Sequence, residues 1–127
     1  MQQISSDVMM IYYLDSTIAL LREGLCLLNP ERVNEDNIPE PLKSWDKIWC
    51  PDMVDIGHYP NYNHASVWIG INLLSLNENL VICDENQTEL HKELYKNNIE
   101  VIPMKLRHAR TLGGSFHCTT LDVCRES

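Results

Sequence analysis

The chain has 127 residues, enough for one domain of ordinary size with its own core. Its 18 acidic and 10 basic residues give a formal net charge of −8, which argues against a nucleic-acid surface and suits solubility or a cationic small-molecule substrate. No apolar run approaches the roughly 18 residues of a membrane span, and no basic-then-apolar leader is seen, so neither a membrane nor a secretory signal is expected.

Residues 1–7 are polar and read as a frayed end. Val8 to Leu21, rich in Ile, Tyr, Thr and Leu, reads as a strand with an irregular start. Arg22-Glu23-Gly24 is a turn, and Leu25 to Leu28 is a continuous apolar run of strand length that stops at Asn29-Pro30. Pro39 to Trp45 opens on a proline suited to a helix start, and Lys47 to Cys50 looks extended up to Pro51. Residues 51–64, with their Pro, Asn, Asp, Gly, His and Tyr, form a loop long enough to bind something. His58 and His64 in it lack a carboxylate or Cys at diagnostic spacing and read as surface or core-edge groups.

The pattern then restarts. Val67 to Leu76 is expected as a strand, Asn77 to Asn79 as a turn, and Leu80 to Cys83 as a second apolar strand. Thr88 to Lys96 reads as a helix, with Leu90 and Leu94 at i, i+4 and charges elsewhere. Asn97-Asn98 closes it, and Glu100 to Ile102 is a strand ending at Pro103. Leu25 to Glu31 laid over Leu80 to Asn86 gives an internal repeat with an offset of 55 residues. Each unit reads strand, turn, strand, polar step, helix, strand, and periods of this size belong to arrays built from one supersecondary unit. The expected organisation is one partial domain over 1–127, with units at about 8–50 and 66–104 and a final strand at about 116–123. A last strand without a successor leaves an unpaired edge, so the chain is expected to be incomplete and to associate with copies of itself or with a complementary chain.

Five Cys, at 26, 50, 83, 118 and 124, are an odd and irregularly spaced set without a C-x-x-C pair. Neither a disulfide framework nor a zinc site is expected, and a reducing cytoplasm is the expected compartment. Cys26 and Cys83 lie inside apolar runs and read as core residues. Cys118 stands beside His117 after the flexible Gly113-Gly114 turn, with Arg107, His108 and Arg110 nearby in sequence. A thiol in such an electropositive setting favours its thiolate, the form that acts as a nucleophile. The same residue at a strand start also reads as a small buried hydrophobe, and the residue types alone leave both readings open.

Leu112-Gly113-Gly114-Ser115-Phe116-His117-Cys118-Thr119-Thr120, followed by Asp122-Val123, resembles the closing motif of the arginine amidinotransferases, of both the arginine:glycine and the inosamine-phosphate types. Ser115 stands where a third Gly is usual and Cys124 where Arg is common. The likeness reaches back through Asp84-Glu85-Asn86 and Ser66-Val67-Trp68. It implies the pentein fold, an α/β propeller of five ββαβ units around a substrate channel. About two of those units are expected here, similar to roughly the last two-fifths of such an enzyme.

The same resemblance implies the site. Cys118 takes the position of the family's nucleophile. Tyr13-Leu14-Asp15-Ser16-Thr17 matches a His-x-Asp-x-Thr run, with Asp15 as the ligand of the arginine guanidinium and Tyr13 in place of the general acid/base His. A tyrosine titrates near 10 and is a poor base at neutral pH. Arg32 matches an arginine that contacts the substrate carboxylate, and Ser66 one of two adjacent serines, the other being Ala65 here. The implied substrates are arginine and an acceptor amine, with no metal and no cofactor. Two other readings stand beside this one. One is a guanidine-modifying hydrolase of the same fold, in which water replaces the amine. The other is a non-catalytic remnant or subunit that only binds partner chains.

Overall fold

A computed structural model of the chain describes residues 16–55, 66–106 and 113–124. Within these, six strands form two three-stranded sheets. The first holds β1 (Ile18–Arg22), β2 (Leu25–Leu28) and β3 (Asp46–Trp49), and the second β4 (Leu74–Asn77), β5 (Leu80–Asp84) and β6 (Glu100–Met104). In each sheet the middle strand pairs antiparallel with the one before it and parallel with the one after it. The register shifts at Leu20/Arg22 in one hairpin and at Ser75/Asn77 in the other, positions 55 residues apart. The two sheets therefore repeat one small topology, down to the bulge. The fold is α/β.

β2 is buried along its whole length, and its alternation sorts the core. Cys26 and Leu28 face a smaller cluster with Ile18, Val33, Ile38 and Leu42. Leu25 and Leu27 face the larger one, which also takes Val81 and Cys83 from β5 and Leu90 and Leu94 from the helix. The two sheets thus share one core.

The α-helix α1 (Thr88–Lys96) has the expected bounds, with Leu90 and Leu94 on its buried face. Its end is a Schellman motif: Asn98 adopts φ 61°, its N–H donates to the Tyr95 carbonyl, and the Ile99 N–H donates to that of Leu94. The first sheet has no comparable helix. There Asn34 Oδ1 accepts from the N–H groups of Asp36 and Asn37, and Asn37 Oδ1 from that of Asn34. Such local bonds compete with a helical ladder. Only a short 3-10 helix forms, at Glu40–Leu42 inside the expected Pro39 to Trp45.

One expected strand is present only in its last part, and another is absent. Val67 to Leu76 is a 3-10 helix (Val67–Ile71) followed by β4. Ser66 caps that helix by accepting the Trp68 N–H on Oγ at 3.1 Å, and Gly70 sits where an added Cβ would come within 2.5 Å of Met53 Sδ. An apolar run without periodicity fits a buried strand or a buried helical turn equally, and the serine cap decides it here. The expected strand Phe116 to Val123 is a turn followed by chain without regular structure and without a ladder partner among the described residues. The Thr119 N–H donates to the Ser115 carbonyl, and the hydroxyls of Thr119 and Thr120 donate to that of Phe116. Threonine side chains here bond their own loop rather than line a sheet.

Residues 1–15, which include the start of the expected first strand, the second half of the 51–64 loop with His58 and His64, and Arg107, His108 and Arg110 lie outside the described residues.

Leu94 is fully buried in the shared core. Leu94→Ala is expected to lower the unfolding free energy by about 2–5 kcal/mol, whereas Tyr95→Ala on the exposed face stays within about 0.5 kcal/mol. Urea titrations followed by circular dichroism check this; equal effects would contradict the placement of α1 on the core.

Candidate active site

The five-residue 3-10 helix Val67–Ile71 is about 10 Å long and joins the three segments that carry candidate residues. Ser66 is at its head. Its second residue, Trp68, is buried, and a buried indole N–H needs an acceptor. Nε1 finds one in Glu31 Oε2 at 2.6 Å, the neighbour of Arg32. At its foot, Asn72 accepts the Cys118 N–H on Oδ1 at 3.1 Å and the His117 N–H on its backbone carbonyl at 3.3 Å.

Arg32 stands on the loop that leaves β2. Asn29 is fully buried there and organises it: its Oδ1 accepts the Glu31 N–H, its carbonyl accepts those of Arg32 and Val33, and its Nδ2 donates to the Ser16 carbonyl. The Arg32 guanidinium donates through Nη1 to Ser16 Oγ at 2.6 Å and Thr17 Oγ1 at 3.2 Å. These are the two residues that follow Asp15, so the structure brings Arg32 to the end of the Tyr13 to Thr17 run. Asp15 and Tyr13 themselves lie outside the described residues.

Cys118 is in the turn that replaces the expected strand, and it is exposed. Phe116 and Ser115 beside it are buried. The reading of Cys118 as a buried hydrophobe is therefore excluded. Burial separates it from Cys26, Cys50 and Cys83, whose thiols are pushed up, that of Cys83 to about 12. A neutral, enclosed thiol is inert, so Cys118 and Cys124 are the accessible ones among the described residues. No group of three or more His, Cys, Asp or Glu able to hold a metal ion occurs among the described residues, and no helix there is long and apolar enough to cross a membrane.

The sequence reading missed three residues of this arrangement: Glu31, Trp68 as a hydrogen-bond donor, and Asn72. Asn72 had a signal, being the one polar side chain in the apolar run from Val67 to Leu74.

No protein-family model matches the chain. It is 53% identical over 113 residues to inosamine-phosphate amidinotransferase 1 of Streptomyces glaucescens, covering 89% of this chain and 32% of that protein. At 34% identity, over the same share of this chain and 30% of the relative, it matches the L-arginine:L-lysine amidinotransferase of Pseudomonas savastanoi pv. phaseolicola. The chain is thus a homologue of the amidinotransferases. The inosamine-phosphate type recurs among solved structures: the Streptomyces griseus enzyme superposes with a TM-score of 0.85 at 52% identity, over 90% of this chain and 33% of that one. The chain spans about a third of the length of the relatives it matches.

Two outcomes are expected from the thiols. Iodoacetamide should label the folded protein at Cys118 and Cys124 and the unfolded protein at all five cysteines, read by intact mass; labelling of Cys26, Cys50 or Cys83 in the folded state would contradict the packing. The stability contributed by the protonated Cys83 thiol is fully present below its ordinary pKa of 9.0 and is lost as pH rises from there towards about 12, because the unfolded chain releases its proton first. The melting temperature should fall across that window, and less steeply in Cys83→Ala.

Proposed function

We propose that the chain is the carboxy-terminal, nucleophile-bearing part of a pentein-type amidinotransferase, a single partial domain with two units at about 8–50 and 66–104, the second ββαβ and the first with a 3-10 helix in place of the α-helix. It moves the amidino group of arginine to an acceptor amine through an amidino-Cys118 intermediate. The observation that carries this is the exposed Cys118, held by Asn72 at the foot of the helix that also carries Ser66 and anchors the Arg32 loop. The name of the Pseudomonas relative states arginine as donor and lysine as acceptor, which is the chemistry proposed here by class.

In the first step the Cys118 thiolate attacks the guanidinium carbon, the carbon–nitrogen bond to ornithine breaks, and ornithine leaves with a proton. In the second, the acceptor amine attacks the same carbon and gives up a proton at the general acid/base position, replacing the one taken by ornithine; the carbon–sulfur bond breaks, and the thiolate is restored. Asp15 holds the guanidinium as a charged acceptor, Arg32 takes the substrate carboxylate through its planar fork, and Ser66 lines the site. No cofactor enters these steps. The Cys118 N–H, in contact with Asn72 Oδ1, is engaged by an acceptor rather than offered to a developing oxyanion. That suits a guanidinium, whose carbon reacts without building a negative oxygen, better than it suits acyl transfer. Tyr13 at the general acid/base position slows proton transfer by about a hundred- to ten-thousand-fold.

The chain works in a reducing cytoplasm, where its five thiols stay free, and with further protein mass, a second copy or a complementary chain. β3 and β6 each leave one edge without a ladder partner among the described residues, and Trp49, Ile102 and Met104 on them are exposed. Sedimentation should show self-association; a cooperatively folding monomer would contradict this part of the proposal.

Intact-mass measurement after incubation with arginine tests the reaction. An amidino adduct is expected that is absent in Cys118→Ala and accumulates faster in Tyr13→His. An adduct that survives Cys118→Ala, or none in any variant even with the complementary portion of a full-length relative supplied, would contradict it.

A further inference from the structure

We propose that Asn72 is the positioning residue of the Cys118 nucleophile, fixing the backbone from which the thiol is carried; this rests on the reading of Cys118 given above. Asn72 is buried within an otherwise apolar run. A buried amide left without partners costs about 1–3 kcal/mol, so its presence there needs a compensating bond. The Cys118 N–H supplies one. A backbone N–H only donates, so the atom facing it at 3.1 Å is the side-chain oxygen. The Asn72 carbonyl accepts the adjacent His117 N–H as well, and two successive amides on one residue constrain the chain between them.

Asn72 is itself held firmly. Its N–H donates to the Ile69 carbonyl at 2.9 Å, closing the 3-10 helix, and the Leu73 N–H donates to the Ile71 carbonyl at 2.7 Å. With φ −76° and ψ 55°, Asn72 is the centre of an inverse γ-turn. Beyond Phe116, every described residue of the Cys118 segment is exposed. The Asn72 side chain is thus a tie from the Cys118 amide itself to the helix, beside the His117 bond to the Asn72 backbone.

The internal repeat supplies an independent observation. Thr17 lies 55 residues before Asn72, also buried and also just ahead of the first strand of its unit. Its hydroxyl accepts from Arg32. In both units the side chain at this position holds a residue assigned to the site, Arg32 in one and Cys118 in the other. Placement matters because an ångström of error at a reacting group costs on the order of a hundredfold in rate.

The test compares wild type with Asn72→Leu, which has no acceptor, and Asn72→Asp, whose carboxylate oxygen accepts the same N–H. Amide exchange at Cys118, followed by NMR, should be about tenfold faster or more in Asn72→Leu, the loss of one hydrogen bond, and protected again in Asn72→Asp. Iodoacetamide labelling confined to Cys118 and Cys124 shows that the fold is intact. Where Asn72→Leu labels at all five thiols, Asn72→Ser, polar but too short to reach, carries the same comparison. Formation of the Cys118 adduct with arginine should fall about a hundredfold in the folded variant lacking the acceptor. Unchanged exchange at Cys118, or exchange that Asn72→Asp does not restore, would overturn the proposal. If no adduct forms in any variant even with the complementary portion supplied, the reading of Cys118 as nucleophile fails, while the exchange comparison still decides whether Asn72 holds it.

Discussion

The arrangement depends on the hydrogen bonds made by Trp68 and Asn72, two buried polar groups along and just beyond one short helix. Each lies in apolar surroundings, and each is satisfied by a segment from elsewhere in the chain: Glu31 on the loop after β2, and Cys118 near the carboxy terminus. An unpaired indole or amide there would be costly, so the two loops are drawn to the helix. Three stretches far apart in sequence are thereby tied to one rigid element.

The repeat explains where these loops come from. Asn29, just after β2, and Asp84, the last residue of β5, are both buried, and each accepts the N–H two residues on with its side chain and that three residues on with its carbonyl. One backbone turn is thus built twice, and its third residue has diverged. In the first unit it is Arg32, turned to Ser16 and Thr17. In the second it is Gln87, whose amide bonds both the N–H and the carbonyl of Val54. A shared scaffold therefore carries a charged fork at one copy and a structural clamp at the other.

Much of this was legible in the sequence. Leu25 to Leu28, Leu80 to Cys83 and the helix from Thr88 stood out because their periodicity, apolar length and closing Asn residues agree with one another. The segment after Ser66 misled because it is buried all round, so no period distinguishes strand from helical turn. Its serine cap was visible, but its meaning depends on the geometry of the two residues after it. Phe116 to Val123 misled for another reason: threonine favours strands only where a neighbour completes the ladder, and here its hydroxyls turn back to their own carbonyls. The Gly-Gly-Ser-Phe-His-Cys motif pointed to Cys118, but only the structure shows that the thiol is exposed. Glu31 and Asn72 act through long-range bonds that no local pattern encodes.

If the Arg32 and Cys118 loops serve one substrate, then the α-carboxylate of arginine and its guanidinium are read by different loops of the same site. Arginine and agmatine differ by that carboxylate alone, so their relative affinity for the wild-type chain and for Arg32→Ala, measured by calorimetry, tests this most directly. A charged hydrogen bond of about 1.5–3 kcal/mol makes arginine the tighter ligand of wild type by about tenfold or more, and Arg32→Ala closes the gap. Equal binding in wild type, or a preference that survives Arg32→Ala, would contradict the account.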